Sequence, residues 1–459
     1  MSISVEMNNK ENSSTPFGSS FSPRWLGAVL LFITFAYAAL RIYIPDIGQK
    51  SGTIIAVTAL VFILWRGRKL RSSTVFWCLL GVVIAQLISW VAGFYHHPDW
   101  LPSNPEIDRL GKWFLFVGVA FWLAGSYFNV KLALSLALLG FLATCFFFDG
   151  SLEQWGRGLK GQRIDLDIRN AQHTAMFFGV ALIGLLSFVR RCFSGGRLAW
   201  LTGTVWVFAF ATCLLGVVVT QTRAVWLAMV VVACLAFSIL VVAALRGRFS
   251  RSARRQVVIA IVSVAALAVI AGISFNDTLK ARLVAENTVM AHAIQGNWKE
   301  VPYTSIGIRL HTWRAGLEWF SERPILGWGG DGRGLVIDHT EWLPAAIKQH
   351  YGHLHNTMLD FLVSYGLLGL SVISVLVVWT GLGSYKSWKA GVMPTEVFVF
   401  GCAFFVYYFI VSLFESYSFF WTGSYIQNVV MGVVVTFIWR WQLETGSSVF
   451  TFGRKRAAA

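Results

Sequence analysis

Residues 198–219 read LAWLTGTVWVFAFATCLLGVVV and residues 224–245 read AVWLAMVVVACLAFSILVVAAL, with only Thr220-Gln221-Thr222-Arg223 between them. Neither run contains a charged residue, and each is long enough to cross about 30 Å of hydrocarbon as a helix. In lipid the backbone must satisfy its own hydrogen bonds, so such a pair is a helical hairpin. Working outward, the same pattern gives twelve spans: 25–44, 52–65, 74–94, 113–129, 132–148, 172–189, 198–219, 224–245, 256–275, 356–382, 395–415 and 422–439. The whole chain agrees with this reading. It has 459 residues, 56% of them hydrophobic and only 13% charged, where a soluble domain carries about 25% charge. The composition excludes a soluble enzyme and a disordered chain, and the sequence predicts an all-α polytopic membrane protein of about 12 transmembrane helices.

The net charge of +16 invites a nucleic-acid reading, but its distribution argues for topology. With the N-terminus inside, 21 of the 38 Lys and Arg and only four acids fall on the inner side, a balance of +17 against −1 for everything else. An inner excess of Lys and Arg orients helices in a membrane, so the partners expected are membrane lipids and no nucleic acid. None of the six cysteines lies in an outer loop, which leaves no external disulfide framework. The polar first 24 residues lack a small-residue cleavage pattern before the first span, which reads as a retained signal anchor.

The chain therefore divides into an inner tail (1–24), helices one to nine (25–275), a long outer loop (276–354), helices ten to twelve (355–443) and an inner tail (444–459). A 79-residue loop in so compact an arrangement points to function. Within it Ile306, Leu310, Trp313, Leu317 and Phe320 recur at helical spacing, predicting an amphipathic helix. His311, Glu318 and Glu322 then fall on its polar face, and Arg309 and Arg314 on the margins. Pro324 ends the helix. A smaller outer loop, 149–171, balances Arg157, Lys160, Arg163 and Arg169 against acids and reads as solvated. The spans show neither internal self-similarity nor matched Gly/Pro breaks, which speaks against an inverted-repeat transporter.

Three outer features meet at one membrane depth. Arg223 sits at the mouth of the short hairpin, where it either anchors to lipid headgroups or faces a cavity. Arg309 and Arg314 lie on the loop helix. His353-Leu-His355-Asn356 immediately precedes span ten, and Asp360 and Glu415 stand near the outer ends of spans ten and eleven. Guanidinium grips phosphate bidentately, and imidazole titrates near neutral pH as a general base requires. His353 and His355 could instead ligate a metal, but a catalytic zinc normally takes three protein ligands, and no third convincing ligand stands beside them in the sequence. No metal or cofactor is expected. P-loop, GxSxG and GxGxxG contexts are also missing. With no nucleotide site, an outer-face transferase would draw its energy from a sugar preactivated on a lipid diphosphate.

These residues carry a resemblance. His355-Asn356, nine residues, Gly366, two residues, Gly369 resembles the His-[Asn/Ser/Gln]-x9-Gly-x2-[Gly/Thr/Tyr] signature of the bacterial O-antigen ligase family. Thr220-Gln221-Thr222-Arg223 resembles the arginine-bearing hairpin that opens that family's shared region. Ile306-Gly307-Ile308-Arg309 with Pro324-Ile325-Leu326-Gly327 resembles its loop arginine and Pro-x-x-Gly segment. The resemblance implies a GT-C-type, metal-independent helical glycosyltransferase in the bacterial inner membrane with its site facing the periplasm. Its donor would be undecaprenyl diphosphate-linked O-antigen and its acceptor lipid A–core oligosaccharide. Arg223 and Arg309 would bind the diphosphate and His355 would assist the acceptor hydroxyl. Arg314, His353, Asn356, Arg163, Arg169, Asp360 and Glu415 are further candidates to bind the substrates, with Asp360 and Glu415 as rival bases to His355. Relatives often carry an Asn-Pro-Asn-like segment where this chain has Arg169-Asn170-Ala171-Gln172-His173. O-antigen polymerases and protein O-oligosaccharyltransferases share these features, and a lipid-linked-glycan transporter would share the anionic binding surface.

Overall fold

The computed structural model describes residues 23–67, 69–193, 196, 199–246 and 289–450. The expected span 256–275, most of both tails and the first part of the long loop lie outside these residues. The helices are α1 (Arg24–Leu40), α2 (Pro45–Arg66), α3 (Thr74–His96), α4 (Asp108–Gly111), α5 (Phe116–Leu123), α6 (Tyr127–Phe147), α7 (Ser151–Leu159), α8 (Ala171–Cys192), α9 (Ala199–Val219), α10 (Arg223–Leu245), α11 (Ser305–Glu322), α12 (Gly332–His339), α13 (Ala345–His350), α14 (Thr357–Lys389), α15 (Thr395–Ser412) and α16 (Trp421–Thr445). There is no strand among the described residues. Among the described residues nine helices are long and apolar enough to cross a membrane (α2, α3, α6, α8, α9, α10 and α14 to α16), and α1 is a shorter apolar helix. The protein is an all-α, multi-pass membrane protein. The apolar window of α16 is 83% buried and that of α10 only 11%, so α16 is the central post and α10 turns most of its surface outward.

The span expected at 113–129 is not one continuous helix. The chain runs through α4, a 3-10 turn at Lys112–Phe114 and α5, and then reverses at Ala124 and Gly125, both with positive φ. All eight residues of α5 are buried, so its ends have no water to satisfy them. α16 supplies the partners. Asn428 Oδ1 accepts from the Phe116 N–H at 2.8 Å and Asn428 Nδ2 donates to the Lys112 carbonyl at 3.0 Å. At the other end Thr436 accepts from the Gly125 N–H and Arg440 donates to the Gly125 carbonyl. A hydropathy run cannot show that a helix is enclosed by protein on every side.

A second break shapes the region of the long loop. α14 departs from helical geometry at Gly366, where φ is 59° and ψ is −162°. The backbone groups this releases are taken up by the segment after α11. Trp328 N–H donates to the Val363 carbonyl and Gly329 N–H to the Ser364 carbonyl, each at 2.9 Å, while Leu367 and Leu368 N–H donate to the Pro324 and Ile325 carbonyls at 2.8 and 3.0 Å. A Cβ on Gly366 would collide with the Ile325 carbonyl, and one on Gly327 would come within 2.6 Å of the Ser364 backbone. The Pro-x-x-Gly segment and the glycine that follows His355 by eleven residues are thus two halves of one joint. It locks the loop onto the bundle.

Candidate functional site

α11 presents a different face to the protein from the one its apolar stripe predicts. Its buried residues are Gly307, His311, Thr312, Ala315, Gly316 and Trp319, whereas Leu317 is 58% exposed. Small residues allow close approach: a Cβ on Gly316 would lie 2.7 Å from the Leu354 side chain. His311, expected on the polar face, is 4% exposed, hydrogen-bonds the Val301 carbonyl at 3.0 Å and stacks on Tyr303.

This packing fixes the segment that carries the histidines. Trp313 Nε1 donates to the Leu354 carbonyl at 2.9 Å, and Thr312 Oγ1 donates to it at 3.4 Å. The Leu354 N–H donates to Asp360 Oδ1 at 2.9 Å. Held on both sides, Leu354 places His353 and His355 on either side of it, and His355 takes a left-handed φ of 53°. Asn356 caps α14, accepting from the Met358 and Leu359 N–H groups. Asp360 is fully buried and anchors this turn.

The third member of the centre arrives from the turn after α15. Glu415 is 1% exposed, its carbonyl accepts from Thr357 Oγ1 at 2.9 Å, and its Oε1 accepts from the Ser416 N–H at 3.0 Å. Oε1 lies 3.1 Å from His353 Nε2 and Oε2 lies 3.4 Å from His355 Nδ1, while the two imidazoles stand 3.1 Å apart. Burial raises the Glu415 carboxyl, but the hydrogen bonds and charges of the two histidines outweigh it and hold the group well below the usual carboxylate range. His355 goes down from 6.5, chiefly because burial disfavours its charged form; Glu415 opposes the shift and Arg309 adds to it. At neutral pH the centre is therefore a carboxylate beside a neutral imidazole. With Nδ1–H given to Glu415, Nε2 remains the acceptor, the arrangement by which a carboxylate orients a histidine base.

The same three side chains bring one ligand atom each within 4.8 Å of one another. Glu415 supplies the third ligand that the sequence did not show, and two histidines with a carboxylate are a set that zinc accepts. Against this use, the Glu415 charge is already opposed by Arg169 and Arg309.

Beside the centre lies a cavity of about 640 Å³, lined by Arg163, Arg223, Arg309 and Gln172 and walled by apolar side chains that include Leu227, Leu310, Trp313 and Phe414. The hairpin 220–223 is pinned to the loop before α8: Arg163 Nε donates to the Thr220 carbonyl at 3.2 Å, Gln221 to Gly161 at 2.8 Å and Thr222 to Ala171 at 3.3 Å. That loop is packed rather than solvated, with Ile164, Leu166 and Ile168 buried. Arg309 reaches Gln172 Oε1 at 3.1 Å, and its Nε is buried with no hydrogen-bond partner. Burial lowers the Arg309 pKa, with Glu415 the main opposing charge.

The structure thus gathers Arg163, Arg223 and Arg309 around one cavity, and His353, His355 and Glu415 at one centre. Arg169 stands close by, over the Phe420 ring at 3.5 Å. Arg314 points elsewhere, pairing with Glu318 at 2.9 Å and lying over Trp298 and Trp342. Sequence reasoning missed Gln172, whose role depends on a contact 137 residues away, and Arg333, which lies in helix α12 but in a glycine-rich stretch of sequence that shows no helical periodicity. No curated protein matches the chain. The family model of O-antigen ligase matches residues 208–374, a segment that includes the arginine hairpin, α11, both halves of the glycine joint and the two histidines. Over residues 208–374 the chain is similar to the O-antigen ligase family.

Proposed function

We propose that the chain is an O-antigen ligase, transferring a glycan from undecaprenyl diphosphate to lipid A–core oligosaccharide at the periplasmic face of the bacterial inner membrane. The observation that carries this reading is the placement of an arginine-lined, partly apolar cavity beside a carboxylate-oriented histidine. The apolar wall suits a polyprenyl chain. Arg309, Arg223 and Arg163 suit a diphosphate that gains charge as it leaves. His355 Nε2 takes the proton of the acceptor hydroxyl. The hydroxyl oxygen forms its bond to the anomeric carbon of the donor sugar, and the bond from that carbon to the phosphate oxygen breaks. The electron pair leaves with undecaprenyl diphosphate, and His355 then releases its proton to solvent. Glu415 stabilises the imidazolium formed in between. No metal is needed, because arginines neutralise the leaving group. Lipopolysaccharide gels of a deletion strain test the reading. Core without attached polymer, with full-length polymer accumulating on undecaprenyl diphosphate, supports it; single repeat units already joined to core would make the chain a polymerase.

A further inference from the structure

Close to the histidine centre, a second pair of arginines stands outside the cavity. Arg333, at the start of α12, lies 4.5 Å over the Phe419 ring and 5.8 Å from the centre of Phe420, whose ring also carries Arg169 at 3.5 Å. The two guanidinium groups thus share one aromatic support. Neither forms an ion pair or a hydrogen bond among the described residues, and the Nε and Nη1 of Arg333 are buried with no partner at all. The nearest acids make no ion pair with either: Asp360 Oδ1 accepts from Leu354 while its Oδ2 is buried without a partner, and Glu415 accepts from the histidines and Ser416. Burial weighs most against the Arg169 charge, Glu415 favours it, and Arg333 opposes it. The two buried donors of Arg333 are costly without an acceptor, and the exposed guanidinium of Arg169 stands over the same ring, so this is a place shaped for an anion that bridges both forks.

The pair's location tells which substrate brings the anion. Phe420 meets His353 edge-on at 5.1 Å, so the shared ring is a wall of the histidine centre. Neither Arg169 nor Arg333 lines the cavity of Arg163, Arg223 and Arg309. A group held here sits beside the base and apart from the diphosphate. We propose that Arg169 and Arg333 form an acceptor subsite that takes a phosphate group carried on the acceptor glycan and so places the neighbouring sugar hydroxyl at His355. The inference rests on the transferase reading above and adds to it the chemistry by which the acceptor is recognised.

Binding to the purified full chain in detergent tests it, using lipid A–core glycolipid, the same glycolipid dephosphorylated with hydrofluoric acid, and undecaprenyl diphosphate as probes. The wild-type chain should bind the phosphorylated glycolipid about 10- to 100-fold more tightly than the dephosphorylated one, the range expected for charge-assisted hydrogen bonds. Arg333→Gln and Arg169→Gln should each erase most of that preference while leaving undecaprenyl diphosphate binding unchanged. Equal binding of the two glycolipids by the wild type overturns the subsite without recourse to any variant. So does an Arg333→Gln defect confined to undecaprenyl diphosphate, which would place the pair on the donor, or displacement of the glycolipid by phosphatidylglycerol at equal concentration, which would make it a lipid-headgroup site. Transfer assayed in parallel separates the two claims: transfer without phosphate preference removes only the subsite, and phosphate preference without transfer removes only the ligase reading.

Discussion

His355 Nδ1 and Glu415 Oε2 lie 3.4 Å apart although 60 residues separate them in the chain. The contact joins a turn held by α11 to the turn after α15, and an Nδ1–H given to Glu415 leaves Nε2 as the acceptor nitrogen. If Glu415 orients the base, Glu415→Gln should keep the fold of the centre but lower transfer by about 10²-fold or more, in the manner of other carboxylate–histidine pairs. Measured kcat with saturating donor and acceptor checks this. Near-normal turnover would mean that His355 needs no orienting group.

The pH dependence follows from the same environment. Burial is the largest influence on His355 and moves its pKa down from 6.5. The working form of a base is the neutral one, so transfer should hold steady at neutral pH and fall only on an acid limb lying below pH 6.5. Glu415→Gln removes the influence that opposes the shift and should move that limb further into acid. Profiles of kcat for both proteins decide the matter; a limb above pH 6.5 in the wild type contradicts the assignment.

Arg309→Lys and Arg223→Lys should each reduce transfer by about 10²–10³-fold, because a point charge replaces a planar fork on a multi-oxygen leaving group. Arg314→Ala should stay within a few-fold of normal, since Arg314 makes an exposed pair with Glu318 within α11, a contact of small energetic weight. Parallel rates of the three variants check the contrast between cavity and surface.

Chelation should leave transfer intact. His353, His355 and Glu415 could hold an ion, but the proposed chemistry needs the imidazole free. Activity in EDTA with purified components tests this directly, and a loss restored by Zn²⁺ or Mg²⁺ would turn the centre into a metal site.

Gly366→Ala should lower folded yield and thermal stability in detergent. The conformation at φ 59°, ψ −162° is open almost only to glycine, and the added methyl has the Ile325 carbonyl in its way. A variant of normal stability would show that the joint between α14 and the 324–329 segment can shift at little cost.

Much of this architecture is legible in the sequence because lipid imposes a simple rule: long uncharged runs become helices. The rule fails at α5, where the surroundings are protein and the helix ends depend on Asn428, Thr436 and Arg440 from a distant helix. It fails again on α11, where an apolar stripe implies a buried face but Gly307, Ala315 and Gly316 pack more closely than leucines can. In the site, Arg223, Arg309 and His355 stand out as charged or titratable groups at apolar boundaries. The partnership of His353, His355 and Glu415 does not, because it is made by tertiary closure. Arg333 is hidden for the same reason, its setting being two phenylalanines that follow it by more than eighty residues.

The measurement that bears most directly on the account is reconstituted transfer with the purified chain, undecaprenyl diphosphate-linked glycan and lipid A–core in detergent. One undecaprenyl diphosphate should be released for each glycan joined to lipid A–core, with the rate of His355→Gln reduced by about 10²–10⁴-fold and its donor binding near normal. Glycan lengthening on undecaprenyl diphosphate in place of transfer to lipid A–core, or a fully active His355→Gln variant, would contradict it.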